Sequence, residues 1–352
     1  MIRRVRKSRS AIWIGLVISA ILLWVVLEKV DLGEIRDSFA LLDPSLLLMG
    51  GFAVATGMFL RSIRWRLIAG CSHMQHSRFA GATYFGVLAN LVFPARAGEV
   101  IRIMRIADVK LLPLPRAVAS AMIDRFIDLV VLAASAVFVY LRVPGAGVLG
   151  EWLSILAVAV FVLAAFTLLV VRRAELWKEW GISFLRKSLR KWALRPEVFL
   201  SDFLADLNRL VRGFSSLKIL AVGIAVWCMD YAAVAFVLMS IGLALPFEAP
   251  LMLWVFLAAG SALPSAPGYV GVYQVAAILA LSFYDVPSSS AVAVALALQL
   301  VTVMVATLMS ARGLIGLVVR RRGLGVANVI ADPVVTVQEV NRQSSTQTTK
   351  GS

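Results

Sequence analysis

Six apolar segments, each approaching the thickness of a lipid bilayer, restrict what this chain can fold into. They comprise residues 11–27, 45–60, 117–140, 153–171, 219–243 and 291–319. A helix needs about 20 apolar residues to cross a hydrocarbon core of about 30 Å, and only helices and closed barrels satisfy their backbone polar groups there. With 61% hydrophobic and 16% charged residues, the chain is typical of an all-α integral membrane protein.

Two further apolar stretches, residues 79–106 and 250–283, do not fit this template because helix-breaking residues interrupt them. The breaks fall at Pro94 and Gly98 in the first stretch, and at Pro264, Pro267 and Gly268 in the second. Proline removes a backbone donor and glycine permits a tight reversal. We therefore expect each break to separate two half-helices.

The distribution of Lys and Arg decides how these broken stretches meet the membrane. If residues 79–93 crossed fully, every later loop would invert, and the basic segment 172–218 would be exported against the positive-inside rule. Re-entrant hairpins, one entering from each side, remove this conflict and leave both termini in the cytoplasm. We predict an all-α bundle in the cell membrane with about six full spans and two oppositely oriented re-entrant helical hairpins.

The two breaks share the pattern P-x-x-x-G-x-V at a constant offset of 170 residues, which aligns Pro94 with Pro264 and Gly98 with Gly268. Similar segments in opposite orientation are typical of inverted-repeat transporters, whose broken helices meet near the membrane midplane. Asn90 and Gly271 flank the breaks, and we assign them to the structure of the hairpins. Glycines such as Gly271 permit close helix approach.

The rest of the chain divides into two kinds of segment. Within residues 174–216, Trp, Leu and Phe alternate with Lys and Arg at helical spacing, which predicts amphipathic helices on the cytoplasmic membrane surface. A soluble helical hairpin packed on the bundle is the alternative. Residues 323–352 are polar and lack periodicity, which predicts a disordered cytoplasmic tail. Residues 1–322 then form one polytopic membrane domain.

The net charge of +15 does not indicate nucleic acid, because the basic residues lie between apolar segments and contact anionic lipid there. The two cysteines and two histidines form no metal-ligand set. We therefore predict membrane lipids as partners, and neither a metal nor another cofactor.

Charged residues gather at the first break and in the next span: Arg96, Glu99, Arg102, Arg105, Asp124, Arg125 and Asp128. Glu99 and Arg102 are spaced i, i+3 and are expected to pair on one helix face. Buried charge costs at least about 2.5 kcal/mol per residue, so charges in spans usually pair within the bundle. We expect Arg96 or Arg102 to pair with Asp124 or Asp128, and Glu99 with Arg125.

This set carries one more positive than negative charge, beside a helix N-terminus that also favours anions. Arginine binds phosphate through planar, bidentate donors, so a lipid phosphate would balance the site. The alternative is a buried ion-pair network that only fixes the hairpin. The predicted substrate-binding residues are Arg96, Glu99, Arg102, Asp124, Arg125, Asp128, Tyr269 and Gln274. Glu99 is the preferred carboxylate for proton coupling; Asp230, Gln299 and Thr302 are weaker interior candidates.

Four motifs, "RSIRWR", "FPARAGEVIRIMRI", "DRFID" and "LPSAPGYVGVYQ", resemble the membrane domain of lysylphosphatidylglycerol synthases, the flippase-like domain family. The resemblance covers residues 12–319 and implies re-entrant helices that move a lipid between leaflets. It also makes Arg96 and Glu99 the charged pair of the first hairpin. Tyr269 and Gln274 depart from the family pattern, in which a glycine and an acid are common.

The resemblance further implies that aminoacyl transfer needs a separate synthase domain, for which there is no room after Arg322. We therefore predict a flippase-like transporter without enzymatic activity, acting on a phospholipid, a glycolipid or a polyprenyl-phosphate-linked lipid. One alternative is a membrane-embedded lipid-phosphate-dependent transferase with Asp124 or Asp128 as base or metal ligand. The other is a scaffold that anchors a separate lipid-synthesis enzyme through residues 174–216.

Overall fold

The computed structural model describes residues 17, 19–28, 30–71, 74, 76–93, 97–107, 112–143, 158, 161–162, 165, 200–203, 205, 214–262 and 266–323. Over these ranges the chain forms α-helices and short 3₁₀ turns, without a β-strand. The predicted all-α class is confirmed. Most of three predicted segments lies outside the described residues: the span 153–171, the amphipathic segment 174–216 and the tail 323–352. The described exceptions are the helical positions 158, 161–162, 165, 200–203 and 205, residues 214–216 at the start of the seventh helix, and residue 323.

Ten helices in the described part of the chain are relevant to the site. They are α1 Ser19–Glu28, α2 Leu32–Ala40, α3 Pro44–Ile68, α4 His76–Val92, α5 Ala97–Ile106, α6 Leu114–Arg142, α7 Phe214–Ser240, α8 Glu248–Gly260, α9 Val272–Leu281 and α10 Ser288–Gly323. Two compact units divide the chain, Met1–Met309 and Ser310–Ser352. All the interactions described below lie within the first unit; in the second, the described residues 310–323 are helical.

Four helical segments are long and apolar enough to cross a membrane: Pro44–Ile68, Ser216–Ser240, Pro267–Tyr284 and Ser288–Ala311. They make the chain a multi-pass membrane protein. Three coincide with predicted spans, and the fourth lies in the predicted second hairpin. Helix α6 covers another predicted span and has 29 residues, about 43 Å of helix, although it contains five charged residues, three of them within the predicted span.

Helix α3 is longer than the sequence indicated. The prediction ended this span at residue 60, ahead of the basic "RSIRWR", but the helix continues to Ile68. It continues because carboxylates from other helices neutralise Arg61 and Arg64 inside the protein, so these charges need not reach water. At its other end Asp43 caps the helix by accepting from the backbone N–H of Ser45.

Glycines let α3 and α7 approach closely in an antiparallel register. A Cβ atom on Gly50 would lie 3.2 Å from Val237, and one on Gly57 would lie 3.5 Å from Oδ1 of Asp230. Small residues at a helix interface allow such close approach, which favours helix association in membranes. The same register carries the arginines of α3 to the middle of α7.

The first break joins α4 to α5, and Pro94 and Arg96 lie outside the described residues. The prediction that a second half-helix starts near Gly98 is confirmed, since α5 begins at Ala97. Gly98 does not make the reversal, however, because it lies inside the helix. A Cβ there would collide with the carbonyl oxygen of Gly86 and would stand 2.5 Å from Oδ1 of Asn90. Gly98 therefore permits the close packing of α5 on α4.

The second break is longer than the first and contains residues of left-handed backbone. Gly268, Tyr269 and Gly271 have φ angles of 71°, 61° and 84°, and α9 begins only at Val272. The predicted Pro267 starts the short 3₁₀ turn, whereas Pro264 lies outside the described residues. A Cβ on Gly268 would lie 3.6 Å from the carbonyl oxygen of Leu91, so the two breaks lie against each other.

Candidate functional site

Arg64 of α3 lies at the centre of a buried ion-pair network. Its side chain has no solvent exposure, its Nε donates to Oδ1 of Asp124 at 2.9 Å, and its Nη2 donates to Oδ1 of Asp128 at 2.6 Å. The predicted cluster did not include Arg64. The register of α3 could have revealed it, because Gly50, Gly57 and Arg64 recur every seven residues and share one helix face.

Arg102 of α5 holds the first hairpin against this network. Its Nε lies 2.8 Å from Oε2 of Glu99, and the two groups form an ion pair without a directed hydrogen bond. Its Nη1 lies 3.4 Å from Oδ2 of Asp124. The guanidinium also stands 4.8 Å from the ring centroid of Trp65, a cation–π contact. The structure therefore contains the two predicted pairs of Arg102, with Glu99 and with Asp124.

Arg125 of α6 is the most exposed arginine of the network, at 42% of its side chain. It lies 3.4 Å from Glu99, 3.5 Å from Asp124 and 3.1 Å from Asp128. The predicted pairing of Glu99 with Arg125 is thus present. Since its partners also have other arginines, Arg125 can turn toward a ligand without leaving any of these carboxylates unpaired.

Among the described residues the charges of the cluster balance, whereas Arg96, which the predicted excess included, lies outside them. Arg105 does not belong to the network, because it is exposed and stacks 4.5 Å from the ring of Phe85. Arg61 pairs with Asp230 of α7 and joins the cluster instead. Four arginines then face four carboxylates: Arg61, Arg64, Arg102 and Arg125 with Glu99, Asp124, Asp128 and Asp230.

A cavity of about 260 Å³ opens between the network and the two breaks. Its lining comprises Arg61, Thr83, Gly86, Val87, Asn90, Leu91, Glu99, Arg102, Arg125, Ser261, Tyr269, Tyr273, Gln299 and Thr302. Of the predicted substrate-binding residues, Glu99, Arg102, Arg125 and Tyr269 line it. Asp124, Asp128 and Gln274 stand behind the lining, and Arg96 lies outside the described residues.

Besides Nε of Arg102, two polar atoms at this cavity have no hydrogen-bond partner among the described residues. They are Oγ1 of Thr83, which is 2% exposed, and Oδ1 of Asn90. A buried polar atom without a partner costs about 1–3 kcal/mol, so such atoms usually meet water or a ligand. The cavity therefore presents unused hydrogen-bonding capacity beside its arginines.

Two glutamines hold the second break in its left-handed conformation. Nε2 of Gln299 donates to the carbonyl of Gly268 at 2.7 Å, and Oε1 of Gln299 accepts from Gln274 at 2.7 Å. Oε1 of Gln274 in turn accepts from the backbone N–H of Gly271 at 2.8 Å. We call these contacts the glutamine clasp. The rings of Tyr269 and Tyr273 stack 5.0 Å apart beside it and face the cavity.

The chemistry of this cavity suits a small polar group with negative charge. Pockets for drug-sized ligands hold roughly 300–1,000 Å³, so this one fits a head group better than a whole lipid. Arginine forks bind phosphate, and the surrounding hydroxyls and amides supply further hydrogen bonds. In the part of the chain that the structure describes, no group of three His, Cys, Asp or Glu side chains could hold a metal ion.

The similarity of this chain to known proteins is consistent with a site inside a membrane protein. A curated relative, "Glycosyltransferase AglD" from Haloferax volcanii, is 24% identical over 302 residues, which cover 76% of this chain and 48% of that protein. The chain thus spans about half the length of the relative it matches. No solved structure matches the sequence. Residues 12–310 match the family described as "Lysylphosphatidylglycerol synthase TM region". The chain therefore belongs to the lysylphosphatidylglycerol synthase transmembrane family.

Proposed function

We propose that this protein moves a lipid with an anionic or phosphate-containing head group between the leaflets of the cell membrane. The observation that carries the proposal is the polar cavity between two broken helical regions, with the half-exposed Arg125 in its wall. Family membership supports a lipid as the substrate. The head group enters the cavity while the acyl or prenyl chains remain in the bilayer.

The two breaks give the movement a physical route. Helix α5, with 10 residues, is about 15 Å long and too short to cross the bilayer alone, as a re-entrant hairpin requires. Non-helical backbone at membrane depth is tolerated where it lines a polar cavity, and the second break does so through Ser261 and Tyr269, while the helix ends on either side of the first break contribute Leu91 and Glu99. We propose that the hairpins enter from opposite sides and that both termini are cytoplasmic, in keeping with the charge distribution.

The test is lipid movement in reconstituted vesicles. Vesicles of phosphatidylcholine with a trace of fluorescently labelled phosphatidylglycerol are treated with an impermeant quencher, and the extra quenched fraction measures movement. We expect the wild-type protein to expose label from the inner leaflet and Glu99→Gln to lose most of this activity. Arg142→Gln is the matched control, because it removes an ion pair with Glu248 that lies outside the cavity. Movement no faster than in protein-free vesicles, also with labelled polyprenyl phosphate or glycolipid, contradicts the proposal.

A transferase is the second candidate, because the curated relative is named a glycosyltransferase. The geometry gives a transferase less support, because the sequence favoured Asp124 or Asp128 as its base or metal ligand. Both oxygens of Asp124 are engaged by arginines, and its side chain is 1% exposed, so it has no free oxygen to act as a base. Incubation of the purified protein with a lipid-linked sugar, followed by mass spectrometry, separates the two functions: transfer products favour the transferase, and unchanged lipid favours transport.

A further inference from the structure

We propose that Asp230, which pairs with the cavity-lining Arg61, is a proton-accepting carboxylate beside this cavity, and that binding of an anionic head group to Arg61 is linked to uptake of one proton by Asp230. The inference rests on the proposed function of the cavity. It concerns two residues of α3 and α7 that the sequence-based site did not contain. It replaces the hypothesis that Glu99 couples transport to a proton.

The carboxylates of the network differ in how many arginines hold them. Three have at least two partners: Glu99 with Arg102 and Arg125, Asp128 with Arg64 and Arg125, and Asp124 with Arg64, Arg102 and Arg125. Among the described residues, Asp230 pairs with Arg61 alone. Of the four described carboxylates of the network, Asp230 is the one that loses every ion pair when a single arginine is lost.

Arg61 is also the arginine that a ligand can draw away from Asp230. It lines the cavity, and 21% of its side chain is exposed. An anion bound in the cavity therefore competes with Asp230 for the same guanidinium. Because α7 contains no basic residue besides Lys218 near its start, no residue of that helix can take over this contact.

A carboxylate left unpaired in this position is expected to take up a proton. Burial in a low-dielectric site disfavours the charged form, and neutralisation by a proton relieves the cost. The step is simple: the Asp230 carboxylate and one proton give the carboxylic acid, while the anion takes its place at Arg61. The charge of the site is unchanged when the head group carries a single negative charge.

The charged groups around Asp230 agree with this exchange. Arg61 and Arg64 face it from α3, and Asp128 faces it from α6. Arg64 is held by Asp124 and Asp128 and is not available to replace Arg61, while the like charge of Asp128 favours protonation. Helix α8, which also packs on α7, contributes Glu248, and this residue pairs with Arg142 at 3.3 Å.

The test counts protons during ligand binding. The purified full chain in neutral detergent is titrated with dihexanoylphosphatidylglycerol at about neutral pH in buffers of different ionisation enthalpy. This probe is a phosphodiester that keeps a single charge, so any proton counted binds to the protein. We expect the wild type to take up about one proton per ligand, and its affinity to fall at most about tenfold per unit rise in pH.

Variants assign the proton to a residue. We expect Asp230→Asn to bind the probe without proton uptake, and Glu99→Gln to keep the uptake even where binding weakens. If Asp230→Asn does not fold, Arg61→Gln serves instead, because Asp230 is then protonated before the ligand arrives and binding takes up no proton. Binding without uptake by the wild type overturns the inference alone, and so does uptake retained by Asp230→Asn or, where that variant does not fold, by Arg61→Gln. No binding by the wild type contradicts the proposed function of the cavity, and the inference with it.

Discussion

Arg64 shows how a charged side chain can be held inside an apolar bundle. Its guanidinium has no solvent exposure, and two carboxylates of α6 accept from it at 2.9 and 2.6 Å. The cost of burying a charge is large, and only good geometry with several partners offsets it. Sharing of carboxylates among arginines gives the network such partners. Removal of Arg64 leaves Asp124 and Asp128 with only the longer contacts of Arg102 and Arg125, at 3.1 to 3.5 Å.

We expect Arg64→Ala to destabilise the protein by about 3–5 kcal/mol, because it leaves Asp124 and Asp128 short of their closest cation. Thermal unfolding of the purified protein in detergent measures the change. Arg105→Ala is the control, since Arg105 is exposed and contacts Phe85 outside the network. An equal loss of stability in both variants would contradict the central position of Arg64.

At this scale the sequence predicted that charges near the first break meet charges of α6, because buried charges need partners. It left open whether Arg96 or Arg102 pairs with Asp124 or Asp128. It did not predict that Arg61 and Arg64 belong to the network, since they follow residue 60, where the predicted apolar span ends. The pairing of Arg61 with Asp230 joins residues 169 positions apart, and depends on the register of α3 against α7. Gly50, Gly57 and Arg64 recur every seven residues in α3, as Asp230 and Val237 do in α7. This shared repeat indicates the register of the two helices.

The broken elements depend on glycines for two different physical reasons. Gly98 lies inside α5 and provides room for the carbonyl of Gly86, whereas Gly268 and Gly271 supply left-handed backbone in the second break. The sequence alignment of Gly98 with Gly268 therefore pairs residues with different roles. A shared pattern predicted where the helices break, but the local backbone at each break depends on tertiary contacts that the pattern does not contain.

Gly98→Ala should disrupt the packing of α4 on α5, because the new methyl group meets backbone rather than a flexible side chain. We expect a loss of about 1–3 kcal/mol or more in unfolding free energy, together with lost lipid movement. Gly81→Ala in α4 is the matched control: its Cβ would meet nothing within 4 Å, and alanine favours a helix by about 0.5–1 kcal/mol. Unchanged stability of Gly98→Ala would show that the two helices do not approach as described.

Gln299→Leu tests the glutamine clasp of the second break. The substitution leaves the carbonyl of Gly268 and the amide of Gln274 without their partner, at a cost of about 1–3 kcal/mol. We expect faster hydrogen exchange of the amides at residues 266–271, measured by mass spectrometry. Thr302→Val on the same helix is the comparison, since the Thr302 hydroxyl bonds only to the carbonyl of Leu298 in its own helix. Equal exchange in the two variants would contradict a holding role for Gln299.

At the scale of the whole molecule, hydropathy predicted the class of protein and several helices, because spanning the bilayer imposes a length that is visible in the sequence. It did not distinguish a full span from a broken one in the region of the second break, where Pro267–Tyr284 is long and apolar enough to cross yet contains Gly268 in a left-handed turn. The cavity arises where α3, α4, α5, α6, α9, α10 and the second break come together, and contacts between distant segments leave little local pattern.

The central claim is that the cavity between the two breaks receives a lipid head group. The measurement that tests it most directly is cryo-electron microscopy of the protein in nanodiscs containing phosphatidylglycerol. We predict phosphate-sized density within hydrogen-bond distance of Arg125 or Arg61, with the lipid chains leading from the cavity into the bilayer. A cavity without lipid density, closed to both leaflets and with every arginine engaged by carboxylates, would contradict the account and favour a network that only stabilises the fold.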